Sequence, residues 1–143
     1  MYDQKQTGKI KSLQIAQAFR VGDVDRVIEV LNATFAGIPN QLWQKENEAF
    51  YHALVHLTFS LVGVFVQSEI NSANGRLDAK VETEDHIYVL EFKLDQRAEA
   101  ALEQIKEKAY FDAYRDSPKQ KIGIGINFST ERKAVENWLS WRV

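Results

Sequence analysis

A chain of 143 residues, 45% hydrophobic and 27% charged, can bury the core of one soluble domain and is too short for two ordinary ones. The absence of cysteine excludes disulfides and thiolate chemistry and fits a reducing, cytoplasmic compartment. A net charge of −2, with six basic against seven acidic residues before Gly75 and twelve against thirteen from there on, excludes a broadly basic surface, so any contact with nucleic acid has to be a local patch, metal-bridged, or supplied by another domain.

No signal-peptide pattern opens the sequence, and residues 1–8 are polar enough to fray. From Ile10 the apolar positions Leu13, Ile15, Ala16, Ala18 and Phe19 predict a helix that stops at Val21, Gly22 and Asp23. Asp23 is a good N-cap for a second helix burying Val24, Val27, Ile28, Leu31 and Phe35 and ending at Gly37, Ile38 and Pro39. The two form a helical hairpin over residues 1–38, which reads as a packing element. A longer helix is predicted over residues 46–61, with Glu46 and Glu48 in its first turn and Ala49, Phe50, Ala53, Leu54, Leu57 and Leu61 on its buried stripe. Glu48 and His52 share one face of it at i, i+4. The longest apolar run, residues 53–66, is interrupted by His56, Thr58, Ser60 and Gly63 and falls short of the ~20 residues of a membrane helix, so no membrane partner is expected.

Residues 62–70 predict a strand, and residues 71–75 a turn. Two further strands follow within residues 75–94, joined at Glu84 and Asp85. A turn centred there pairs Asp78 with Glu91. Opposed residues of an antiparallel pair lie roughly 4.5–5.5 Å apart at Cβ on one face, so two carboxylates are forced together and a cation would resolve the conflict. The register also sorts the hairpin. Leu77, Ala79, Val81, Tyr88, Leu90 and Phe92 form an apolar face, and Arg76, Asp78, Lys80, Glu91 and Lys93 share the other with Ile87 and Val89. Those two apolar residues predict that the charged face is partly covered.

Ala98, Ala101, Leu102, Ile105 and Ala109 then mark a helix over residues 96–114, and residues 121–128 alternate Ile122, Ile124, Ile126 and Phe128 with Gly123, Gly125 and Asn127. Strand, helix and strand in this order predict a right-handed crossover to a parallel strand, its glycine face open to close approach by a helix. In residues 133–143, Val135, Trp138, Leu139 and Trp141 fit either an amphipathic helix or a final edge strand.

This order of elements, with Asp78 on the second strand and Glu91, Phe92, Lys93 on the third, resembles the core of the PD-(D/E)XK nuclease superfamily. The stretches NEAFYHALVHL, QSEINSANGRLDAKVE, IYVLEFK, AALEQIKEKAY and GIGINFS resemble in particular the nuclease-like domain often C-terminal in bacterial AAA-ATPase-like proteins, over most of residues 22–143. The resemblance implies a single α/β (α+β) domain over residues 1–143, with the restriction-endonuclease-like core in residues 42–143: a helix, three antiparallel strands, a crossover helix and a strand, in a mixed sheet flanked by helices. It implies that Asp78, Glu91 and Glu48 bind a divalent metal, usually Mg²⁺ with Mn²⁺ as a substitute. Lys93 would sit beside the attacking water or scissile phosphate, and Gln104 would contact the metal site or nucleic-acid backbone. The proline of the family's name is absent, Leu77 standing before Asp78.

The chemistry points the same way. Hard divalent cations take carboxylate oxygens, and the carboxylates beside Lys93 favour its charged form, so its role is electrostatic rather than that of a neutral base. The implied function is phosphodiester hydrolysis in nucleic acid, DNA before RNA. The alternative is an idle nuclease-fold module that docks or regulates an ATPase-like domain in the same or a partner chain, which the charge balance favours. Nucleotide hydrolysis ranks below both, for want of a phosphate-cradling glycine-rich loop. Each residue also has a plainer structural role. Asp78, Glu91 and Lys93 can form a cross-strand ion cluster, Glu48 can serve its helix N-terminus, and His52, His56 and His86 fit a hydrogen-bonded interior better than a metal. Arg76 and Glu69 flank one turn and can pair there, or Arg76 can reach phosphate. Tyr110 and Tyr114 read as packing residues, and Trp138 and Trp141 as sheet closure before base stacking. Oligomeric state stays open.

Overall fold

A computed structural model describes residues 4–38, 65–71, 76–107 and 111–143. The predicted helix over residues 46–61, with Glu48, His52 and His56, lies outside the described residues, as does Tyr110.

The helical hairpin is α1 (Gln4–Val21) and α2 (Val24–Ala36). Its start corrects the expectation of a frayed end, because α1 already runs from Gln4. Gly22 turns the chain between the helices with φ of 78°, and Asp23 caps α2 by accepting the Arg26 N–H at 3.1 Å. All five residues expected on the buried stripe of α2 are buried.

Five strands follow: β1 (Phe65–Asn71), β2 (Arg76–Glu82), β3 (His86–Leu94), β4 (Gln120–Ser129) and β5 (Ala134–Arg142), forming one open sheet in sequence order. The first three are antiparallel, and β4 lies parallel to β3, reached through α3 (Ala98–Glu107) and a 3₁₀ turn at Asp112–Tyr114. As described, the crossover helix is thus shorter than the expected 96–114. The ambiguous tail is a strand, antiparallel to β4, with a bulge at Asn127 and Phe128.

The faces of the sheet have different cores. Val81, Tyr88, Leu90, Phe92 and the four alternate residues Ile122, Ile124, Ile126 and Phe128 pack against α1 and α2. On the opposite face Ile87 and Val89 are buried with Ile105 and Phe111, so α3 supplies the cover predicted for the charged face. The glycine face works as expected: a Cβ on Gly125 would lie 2.7 Å from both Ala98 O and Leu102 N.

Tyr88 pins the first core to the hairpin. It is wholly buried, edge-on to Phe19 at 4.9 Å, and its hydroxyl donates to the Phe19 carbonyl. Burial pushes its pKa up from 10.0 to about 12, against the opposing pull of Arg142 and of a backbone hydrogen bond from Gly22. A neutral phenol favoured by the fold contributes stability that is complete below pH 10.0 and is lost as pH rises through about 12. Urea-unfolding midpoints measured across that window should fall for the native chain, and Tyr88→Phe should flatten the dependence.

Candidate functional site

The charged face of the sheet is laid out in rows by the strand register. Asp78 pairs with Glu91, as the turn at Glu84 and Asp85 requires, and Glu91 pairs onward with Gly125. Lys93, two residues along β3, shares the face of Glu91 and pairs with Asn127. Glu91 is wholly buried and Lys93 is 7% exposed. A carboxylate and an ammonium so far inside the protein are tolerated only with compensating charge or hydrogen bonds, because removing either from water costs several kcal/mol.

Gln104 belongs to the helix that covers this face. Ala98, Ala101 and Ile105 are the buried residues of α3, turned toward the sheet. Lys106 reaches over the Trp141 ring on β5, its ammonium 5.1 Å from the centroid. Gln104 stands two residues away, about 200° around the helix, and so on the flank toward β3 and β2. Its Oε1 is buried with no hydrogen-bond partner among the described residues. An acceptor in that condition suits a bound water or cation.

Two features were not read from the sequence. The register of β1 sets Glu69 across from Asp78, and Asn71 across from Arg76. Three acidic positions, Glu69, Asp78 and Glu91, therefore stand in one row across β1, β2 and β3. Asn127, 1% exposed, clamps the chain just beyond Lys93: its Oδ1 accepts the Gln96 N–H at 2.9 Å and its Nδ2 donates to Gln96 O at 3.0 Å. Beside it Asp95 adopts φ of 54° and accepts from Thr130 N at 3.0 Å and Thr130 Oγ1 at 2.6 Å. Together these bonds fix the end of β3 and the start of α3. The one signal for Asn127 in the sequence is a lone amide that follows Gly123 and Gly125 on one strand face.

Among the described residues no group of three or more His, Cys, Asp or Glu gathers to hold a metal ion, and the expected third ligand, Glu48, lies outside them. What the described residues offer is a buried carboxylate with a second acidic position directly opposite. That is the hard-oxygen donor type that Mg²⁺ or Mn²⁺ takes, with one or two carboxylates completed by water and phosphate. His86, the histidine among the described residues, does not add to it: it is buried at the start of β3, stacked on Tyr88 at 5.6 Å. Trp138 packs against the hairpin-side core and Trp141 against the α3-side core.

A model of the PD-(D/E)XK nuclease superfamily matches residues 46–138. A protein of Azotobacter chroococcum mcd 1, described as an uncharacterized protein in the vnfD 5′ region, is 30% identical over 138 residues, covering 92% of this chain and 26% of the relative. The chain thus spans about a quarter of that relative's length. No solved structure matches it.

Proposed function

The chain belongs to the PD-(D/E)XK nuclease superfamily, and from that premise we propose that it is a divalent-metal-dependent nuclease that hydrolyses phosphodiester bonds in DNA, with Mg²⁺ as its metal. The observation that carries this reading is the register of Asp78 against Glu91, with Glu91 and Lys93 buried on one face under α3. Asp78 and Glu91 would hold the metal, with Glu48, inside the matched segment, as third ligand. When bound there, a divalent cation would supply Lewis-acid chemistry, polarising a phosphoryl oxygen and lowering the pKa of a bound water. Lys93 is the fixed positive charge beside the reacting phosphate, where charge develops in the transition state. Gln104 offers a buried acceptor to orient water, and α3 keeps bulk solvent off the Glu91 side.

Metal binding and cleavage are separable tests. With Mg²⁺ or Mn²⁺ at millimolar concentration the melting temperature should rise, since a ligand specific to the folded state stabilises it by about 2.7 kcal/mol at a hundred times its Kd. The same metals should support cleavage in a panel of single- and double-stranded DNA and RNA, DNA being cut best, and chelator should stop it. Absence of both the melting shift and cleavage would refute the proposal. A shift without cleavage would support a second reading, favoured by the net charge of −2: an idle module that binds or regulates as part of a longer, ATPase-like protein.

A further inference from the structure

Lysines on the charged face differ in what holds their ammonium groups. Lys119 donates to Thr83 O at 2.9 Å and lies 3.7 Å from the Glu82 carboxylate. Lys121 donates to Ser117 O at 2.9 Å and Lys119 O at 3.2 Å. Lys119 thus ties the start of β4 to the β2–β3 turn, and Lys121 holds the loop that leads into its own strand. Lys80 is different. It is half-buried, and its ammonium stands over the Tyr114 ring, 5.9 Å from the centroid. No carboxylate among the described residues pairs with it.

Its place in the register gives that charge a use. Lys80 lies two residues beyond Asp78 on β2 and pairs with Val89, two residues before Glu91 on β3. It therefore occupies the row next to the acidic one, on the same face. Two residues along a strand span roughly 6.8 Å, comparable with the spacing of neighbouring phosphates on one nucleic-acid strand. Tyr114 seats the ammonium without using its three donors, none of which bonds to a described residue, because an aromatic face attracts a cation without taking its hydrogen bonds. An isolated basic position is also what a chain with no basic half needs in order to touch a phosphate backbone.

We propose that Lys80 is a phosphate-binding residue of this site, holding the phosphate next to the one placed at Asp78 and Glu91. The inference rests on the nuclease reading, and it adds the direction in which the substrate strand leaves the acidic row. The test is fluorescence anisotropy of the full chain with labelled single-stranded and duplex DNA, without divalent metal so that no cutting occurs, between about 50 and 200 mM salt. Lys80→Gln should weaken binding several-fold at the lowest salt and reduce the slope of log Kd against log salt by about one. Lys80→Arg should restore both, and all three chains should melt alike. If the native chain binds with a salt-dependent affinity that Lys80→Gln leaves unchanged, Lys80 serves packing on Tyr114 alone and this inference fails while the nuclease reading stands. Absence of any salt-dependent binding by the native chain overturns this inference, and the nuclease reading is then judged by the metal-dependent melting and cleavage tests.

Discussion

Asp78→Asn is expected to reduce metal-dependent cleavage by roughly three orders of magnitude, since a bound metal contributes several kcal/mol to the transition state and each 1.36 kcal/mol is tenfold in rate. The reason lies in the register. Asp78 is the residue directly across from Glu91, so its loss removes half of the carboxylate pair without touching the apolar face of the hairpin. The substitution should also make the metal-free protein slightly more stable, by up to about 1 kcal/mol, because like charges opposed across strands repel. Higher stability without metal, together with loss of the metal-induced melting shift, is a combination that an ordinary structural ion cluster would not give. Lys93→Met supplies the complementary case. It preserves the buried stem and deletes the charge, so cleavage should fall by about 10²-fold or more while the metal-induced shift persists. Full cleavage by either variant, in protein freed of contaminating nuclease, would refute the assignment.

The parts of this arrangement that could be read in the sequence are those fixed by short-range rules. The Asp78 and Glu91 pairing follows from one turn at Glu84 and Asp85, and the same register gathers Leu77, Ala79, Val81, Tyr88, Leu90 and Phe92 on one apolar face even though Ile87 and Val89 break the alternation. The close seat of α3 follows from Gly123 and Gly125 standing on one face of β4. Where two periods fit the same residues, the sequence was undecided: Val135, Trp138, Leu139 and Trp141 satisfy a helix or a strand, and pairing with β4 makes them a strand. The row containing Glu69 depends on how β1 meets β2, which residues 72–75 do not specify by turn type alone. The clamp made by Asn127 is not legible in the sequence because its partner, Gln96, is 31 residues away and is met only after the crossover closes. The first turns of α1 look frayed by composition, yet they belong to an 18-residue helix whose later turns are buried in the hairpin-side core.

Gly125→Ala should cost clearly more stability than Gly123→Ala, its neighbour on the same face of β4. The added carbon would lie 2.7 Å from Ala98 O and from Leu102 N and 3.1 Å from Ala101 Cβ. The first two are backbone atoms of α3, which no side-chain rotation can move aside. Either the helix lifts from β4 or the strand bends, and overpacking of this kind costs about 1–3 kcal/mol, sometimes more. The smaller entropy of an unfolded chain with alanine returns only about 0.4–1 kcal/mol, so the packing cost wins. Gly123→Ala is the internal comparison. Its nearest neighbour is Ile105 Cγ2 at 3.2 Å, a side-chain atom that can shift, and the loss should be under about 1 kcal/mol. The two glycines differ further in what they support. Glu91 pairs with Gly125, so lifting α3 at that level uncovers the buried carboxylate and displaces Gln104 with the helix. Gly125→Ala should therefore also weaken the metal-induced melting shift, whereas Gly123→Ala should leave it intact. Equal stability of the two variants in urea unfolding would mean that α3 does not rest on Gly125, and the cover it gives Glu91 would have to come from elsewhere.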